Sequence, residues 1–183
     1  GVAVPGPQPA VLVWHAPLLQ FYLDAIQFAA GDLDAPTAPR ADRPAKHGPG
    51  HKSRNVYFAG CTASYVEHDI GQASVTLLDA AGVDFTTLGN VENCCGTPML
   101  VAGKWEVFAE TMKKNIAAVI AAGADTVITS CPACDMMWRH SYPEWSKKLG
   151  LEYGLTAKHY SEVVAEKIRA GEFKFKNPIN RRV

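Results

Sequence analysis

From residue 55 onward, short apolar runs alternate with longer amphipathic ones, and this alternation limits the fold more than any other feature. "NVYFAG" (55–60), "VDFTTL" (83–88), "DTVITS" (125–130) and "LTAKHY" (155–160) read as strands. "DIGQASVTLLDAAG" (69–82) sets Ile70, Ala73, Ser74, Leu77, Leu78 and Ala81 at helical spacing and stops at Gly82. "GKWEVFAETMKKNIAAVIAAG" (103–123) puts Trp105, Phe108, Ala109, Met112, Ile116, Val119 and Ile120 on one helical face, ended by Gly123. "DMMWRHSYPEWSKKLG" (135–150) starts as a helix that Pro143 must break or kink. "SEVVAEKIRAG" (161–171) has Ser161 as its expected N-cap and Gly171 as its stop. Strand followed by helix, repeated, means parallel strands joined by crossovers. The expected fold is α/β: a small Rossmann-like parallel sheet of about four strands with flanking helices.

Residues 1–54 differ from this pattern. A Pro/Gly-rich lead precedes "LLQFYLDAIQFAAG", whose Leu18, Leu19, Tyr22, Ala25, Ile26 and Ala29 form a helical stripe. A stretch with four prolines and the basic residues Arg40, Arg43, Lys46, Lys52 and Arg54 follows, with the titratable His47 among them, and reads as a linker. The expected organisation is an N-terminal helix and linker over 1–54, a domain over 55–171, and a tail over 172–183. Lys plus Arg equals Asp plus Glu at 18 each, which argues against a nucleic-acid platform. No apolar run approaches the roughly 20 residues that span a bilayer. Five cysteines cannot all pair within one chain, so a reducing, cytoplasmic compartment is expected.

All five cysteines fall at the ends of expected strands. Cys61 follows the first, Cys94 and Cys95 the second, Cys131 and Cys134 the third. In open parallel sheets, ligands sit beyond the carboxyl ends of the strands. Soft ligands far apart in sequence therefore converge on one edge. Thiolates select zinc, copper(I) or iron–sulfur clusters. "CPAC" alone is shared by zinc sites and redox dithiols. A structural zinc site uses four ligands and leaves one cysteine over, whereas a larger inorganic object can use all five. The adjacent pair Cys94-Cys95 is an unusual way to fill a core and makes sense if both sulfurs point at one object.

Cys61, then 32 residues, then Cys94-Cys95-Gly96, then 34 residues, then Cys131-Pro-Ala-Cys134 resembles the CCG, or cysteine-rich, domain over roughly residues 55–170. Such domains occur in the B-type subunits of heterodisulfide reductases, in their D-type relatives and in the iron–sulfur subunits of anaerobic respiratory complexes. The resemblance implies a noncubane [4Fe–4S] cluster held by Cys61, Cys94, Cys95, Cys131 and Cys134, which act as cofactor and metal ligands beside Gly96. Zinc or a cubane [4Fe–4S] cluster are the alternatives that the wider family allows. The implied activity is that of an oxidoreductase module reducing a disulfide or trisulfide. The competing readings are electron relay without substrate, and a structural zinc domain. The B-type reductase subunits carry two such domains in tandem and this sequence carries one, so a piece of a longer protein is expected, with "FKFKNPINRRV" opening a second domain. No run of closely spaced ferredoxin-type cysteines is present, so electrons are expected from a ferredoxin-like or flavin-containing partner subunit. The other expected partners are a thiol or disulfide substrate and membrane-complex subunits, which would bring peripheral membrane attachment; nucleic acid is not among them.

Residues around the cysteines carry expectations of their own. Gly96 serves either a positive φ or close approach to the cluster. Pro132 is either a helix N1 proline or a device that aims the amides of Ala133, Cys134 and Asp135 at sulfur. His159, at the end of the fourth strand, is the candidate catalytic residue, as a hydrogen-bond or proton donor; a packed, satisfied imidazole is the bland alternative. His68 and His140 read as solvated helix residues. Thr62 and Ser64 are candidate donors behind the ligands, with a helix N-cap role favoured for Ser64. Met136, Met137 and Trp138 cover the cluster, face a partner or fill the core.

Overall fold

The structure, a computed structural model, describes residues 47, 48 and 50–175. The expected Leu18–Ala29 helix and the final residues of the tail lie outside the described residues. Four parallel strands form one sheet: β1 (Asn55–Phe58), β2 (Thr86–Thr87), β3 (Thr126–Thr129) and β4 (Thr156–His159), in the order β2-β1-β3-β4. The helices are α1 (Gly60–Tyr65), α2 (His68–Ala80), α3 (Thr97–Val101), α4 (Trp105–Ala121), α5 (Pro132–Met136), α6 (Tyr142–Lys148) and α7 (Tyr160–Arg169). The α/β parallel-sheet expectation is met.

Strand residues alternate between two cores, as the period-2 pleat requires. Val56, Phe58 and Val127 point to one side, where Phe108, Met112, Trp138 and Tyr142 pack on them. Tyr57 and Ile128 point to the other, against Val75, Leu78, Phe85, Val163 and Val164. Both faces of the sheet are covered, which is why the strands read as near-continuous apolar runs.

The helical faces differ from the expected stripes at their ends. In α2 the buried positions are Gly71, Ser74, Val75 and Leu78, while Ile70 is exposed. The cause is α1, a short helix without a sequence signal, which packs on α2. A Cβ at Gly71 would come within 3.3 Å of the Ala63 carbonyl oxygen. In α4, Phe108, Ala109, Met112, Ile116 and Val119 are buried as expected, but Trp105 and Ile120 are exposed and Asn115 is fully buried. Ser64 lies buried inside α1 and is no N-cap. Ser161 falls within α7, whose N-cap position is His159. Pro143 neither breaks the helical rod nor sharply ends it. Five residues of π-helix, Met137–Ser141, join α5 to α6 just before it. A proline cannot donate to the preceding turn and crowds it, and the wider π turn accommodates both demands.

The edge strand β2 pairs over two residues where six were expected. It is covered by the segment leading into the sheet. Thr87 and Thr86 donate side-chain hydrogen bonds to the carbonyls of His47 and Gly48, and Ser53 and Asn55 donate to the Asp84 carbonyl. His47 is buried, stacked on Phe85 at 3.9 Å between ring centres, with one ring nitrogen 2.7 Å from Asp79. A covered edge does not recruit further strands.

Candidate metal centre

The sheet order reverses between β1 and β3, and open α/β sheets place their ligand crevice at such a switch point. Cys61 follows β1 and opens α1; Cys131 follows β3 and is the N-cap of α5. The loop after β2 brings Cys94 and Cys95 to the same edge, and Gly96 caps α3. All five sequence-predicted cysteines meet there.

Their sulfurs form a connected row. The Cys61 and Cys94 sulfurs are 3.5 Å apart. Cys94 also touches Cys95, Cys95 touches Cys134, and Cys134 touches Cys131. The vicinal pair thus divides its attention, Cys94 toward Cys61 and Cys95 toward the CPAC turn. Cys94, Cys95 and Cys134 are buried, whereas Cys61 and Cys131 at the ends of the row are half-buried and reach solvent. Among the described residues, no group of three or more His, Cys, Asp or Glu side chains closes around a single-ion position.

The thiols are not alike. The Cys131 thiol is lowered to about 6, first by its hydrogen bond with the Cys134 thiol and then by the backbone amides of Cys134 and Ala133. Cys95 is held well below the usual thiol range by hydrogen bonds with Cys134, Cys94 and Thr97. Cys94 is pushed well up by its contacts with Cys61 and Cys95 and by burial, and Cys134 by Cys131, Cys95 and burial. Pro132 is an N1 proline, and two of the three amides expected to aim at sulfur do so. The third, of Asp135, donates to the Cys131 carbonyl instead.

Two glycines are required by this packing. Gly96 has φ +88°, and a Cβ there would lie 2.6 Å from the Phe108 ring. Its close approach is to an aromatic wall. Gly60 has φ +74°, and a Cβ there would lie 2.8 Å from the Cys134 sulfur. Gly60 is thus the cradle position of the site.

His159 stands at the end of β4 with both ring nitrogens engaged by oxygen: Nε2 is 3.1 Å from the Ser130 carbonyl and Nδ1 2.7 Å from the Ser161 hydroxyl. A carbonyl only accepts, so Nε2 carries the proton. Ser130 precedes Cys131, so the imidazole braces the strand end beside the ligands. His140 is exposed on the π turn, whereas His68, expected to be solvated, is half-buried at the start of α2 with its Nε2 buried and without a hydrogen-bond partner. Met137 and Trp138 are fully buried core residues, while Met136 is exposed beside Cys134.

Sequence reasoning missed Glu92 and Thr97. Glu92 is buried and accepts the Gly60 amide at 3.1 Å, tying the loop after β2 to the turn that carries Cys61. An acid two residues before a vicinal cysteine pair was the signal. The Thr97 hydroxyl lies 3.3 Å from the Cys95 sulfur.

The site suits an iron–sulfur group. Its donors are five soft thiols, Gly60 leaves room beside Cys134, and the indole N–H of Trp138 is buried without a partner in the same core as Cys94, Cys95 and Cys134.

A doubly covered parallel sheet with a row of cysteines at its switch point defines a metal- or cluster-binding α/β domain. Residues 55–139 match the cysteine-rich domain, CCG. The chain is 32% identical over 135 residues to the D-type subunit of the dihydromethanophenazine:CoB–CoM heterodisulfide reductase of Methanosarcina acetivorans, covering 72% of this chain and 32% of that protein. It is 31% identical over 131 residues to the B-type subunit of the fumarate reductase (CoM/CoB) of Methanothermobacter marburgensis, covering 72% of this chain and 24% of that one. It is 28% identical over 132 residues to an EtfAB:quinone oxidoreductase of Syntrophomonas wolfei, covering 71% and 18%. The chain thus spans about a third or less of the length of these relatives. No solved structure matches it. The relatives support an iron–sulfur redox module and, since two of them are named as subunits, partner subunits in general. No helix among the described residues is long and apolar enough to cross a membrane.

Proposed function

We propose that Cys61, Cys94, Cys95, Cys131 and Cys134 together hold a noncubane [4Fe–4S] cluster, and that the domain reduces a disulfide or trisulfide with electrons from a ferredoxin-like or flavin-containing partner subunit. The observation that supports this most is the row of sulfurs: five thiols each beside the next, with the adjacent pair shared between Cys61 and the CPAC turn. Four cysteines complete a cubane or a zinc site, and a fifth in the same row favours a larger, more open object. When bound, the cluster supplies electrons one at a time. The chain's residues do the rest. Cys61 and Cys131 leave the row reachable from solvent, so a substrate sulfur approaches between them. The amides of Ala133 and Cys134 hold negative charge on the Cys131 sulfur. Glu92 fixes the Gly60 turn, and Gly60 keeps Cys134 free of a side chain. His159 is assigned proton supply to the departing thiolate, for which its Nε2 proton must first leave the Ser130 carbonyl. The overall step takes up two electrons and two protons for each disulfide split into two thiols. A peripheral position on the cytoplasmic side of a membrane, through partner subunits, follows from the same reading.

The likeness to an EtfAB:quinone oxidoreductase supports a second reading, electron relay with no substrate at the cluster. Anaerobic reconstitution with iron and sulfide, metal analysis, and electron paramagnetic resonance of the oxidised protein during titration with a small thiol separate the two. A spectrum that changes with thiol, and that Cys95→Ser alters, supports substrate chemistry. An intact cluster indifferent to saturating thiol leaves relay. Stoichiometric zinc without iron refutes both.

A further inference from the structure

The geometry points to Asn115 and Tyr142 as positioning residues that set the peptide of the vicinal cysteines and so decide which way each sulfur faces. This deepens the reading of the five cysteines as one site and rests on it.

Asn115 lies in α4 and Tyr142 opens α6; both are fully buried. The Asn115 Nδ2 donates to the Cys94 carbonyl at 2.9 Å and to the Tyr142 hydroxyl at 3.0 Å. Its Oδ1 accepts from the Asn93 amide at 3.2 Å. The Tyr142 hydroxyl donates in turn to the Cys95 carbonyl at 3.1 Å. The orientation of the Asn115 amide is fixed by chemistry: a carbonyl cannot donate and an amide N–H cannot accept. Every polar group of the two side chains is used.

The network therefore grips three consecutive residues, Asn93, Cys94 and Cys95, by their backbone. Side chains on successive residues of an extended segment leave on opposite sides, and only the peptide orientation decides which sulfur goes to which neighbour. Here Cys94 meets Cys61 and Cys95 meets Cys134. The two clamping residues arrive from different elements, so the loop after β2 is held by helices packed on the sheet. Tyr142 reaches its place directly after the π turn Met137–Ser141, which sets the start of α6. A buried network with every member satisfied rigidifies what it holds, and here its hold on the cysteines is through their backbone carbonyls.

The test compares Tyr142→Phe, which deletes one hydroxyl and keeps the ring, with Tyr153→Phe. Tyr153 also donates a hydrogen bond to a backbone carbonyl, that of Trp138, but to none of the cysteines. Asn115→Leu removes the clamp outright; Tyr142→Phe is the variant that keeps the question open if that one does not fold. In the iron-free protein, diamide takes two electrons and two protons from a thiol pair, and peptide mapping of the disulfides shows which pairs lie together. Among the disulfides that contain Cys94, wild type and Tyr153→Phe should give mainly Cys61–Cys94. In Tyr142→Phe that fraction, relative to other pairings, should fall by about fivefold, the population equivalent of one net hydrogen bond. After reconstitution, Tyr142→Phe should keep its iron but show displaced g-values and midpoint potential, with Tyr153→Phe unchanged. A variant that only melts earlier, with wild-type pairing and spectrum, overturns the positioning role. Wild type that takes no iron, with pairing still altered in Tyr142→Phe, sustains the clamp and sinks the cluster. Iron uptake without any response to Tyr142→Phe does the reverse.

Discussion

Gly96→Ala gives the sharpest stability prediction, because two separable costs meet at one atom. The backbone sits at φ +88°, where an L side chain costs about 1–2 kcal/mol. The new Cβ would also lie 2.6 Å from Phe108 Cδ2. The Phe108 ring is fully buried and wedged between Tyr142 and Trp145, at 6.0 and 5.2 Å between ring centres, so it has little room to retreat. Overpacking of this kind costs roughly 1–3 kcal/mol. The sum, about 2–5 kcal/mol, corresponds to a fall in Tm of roughly 8–20 °C for a domain of this size. Gly123→Ala is the control: its φ is +77°, but nothing lies within 4 Å of the added Cβ. It carries the backbone cost alone, roughly 4–8 °C. Thermal unfolding of the iron-free protein followed by far-ultraviolet circular dichroism reads both. In the double variant Gly96→Ala/Phe108→Leu the losses should be less than additive, since the shorter side chain clears the contact. Equal Tm losses for Gly96→Ala and Gly123→Ala would refute the wall that Phe108 makes behind the vicinal cysteines.

Gly60→Ala should lower the iron bound per chain after reconstitution, because its Cβ would press on the Cys134 sulfur at 2.8 Å; Gly82→Ala, whose Cβ meets nothing, should not. An iron assay on the two variants decides, and equal loading defeats the cradle. The Asp84 carboxyl is held below the usual range by hydrogen bonds with His51 and Ser53. Its stabilising effect is therefore full above the unfolded value of about 3.9 and is lost as pH falls. Asp84→Asn should flatten the dependence of Tm on pH between about 5 and 2, and an unchanged acid limb would contradict that. An iron chelator added to the reconstituted protein should lower Tm toward that of the iron-free chain; a Tm indifferent to chelation shows that the metal does not hold the loops.

The alternation of strands and helices was legible from residue 55 because β1 and β3 are buried on both faces and each long helix on one. The sulfur edge was legible too, since chain direction alone puts the end of every parallel strand on one side. Short elements escaped. α1 and α3 span six and five residues, too few to show a 3.6-residue period. β2 pairs at Thr86 and Thr87 only, while the more strand-like Val83 and Phe85 spend their burial on the core. Pro143 announced a disturbance but not its form, because a π turn has no sequence signature of its own. The Asn115–Tyr142 network could not be read at all: its members come from two helices and a loop, and an asparagine on a helical stripe looks like an error in the pattern until its partners are known.

Phe58, Thr129 and His159 close their strands in a single row of partners. Everything that touches a sulfur begins beyond that row. The helices α2 and α4 return to the other end of the sheet, where Gly82 and Gly123 turn the chain in open space. Residues added or removed at those far turns change the count between Cys61 and Cys94, or between Gly96 and Cys131, without moving any sulfur. The separations of 32 and 34 residues are thus return paths rather than rulers. Chains with longer or shorter returns can grip the same object, whereas one residue inserted between Phe58 and Cys61 would turn the first thiol away from it.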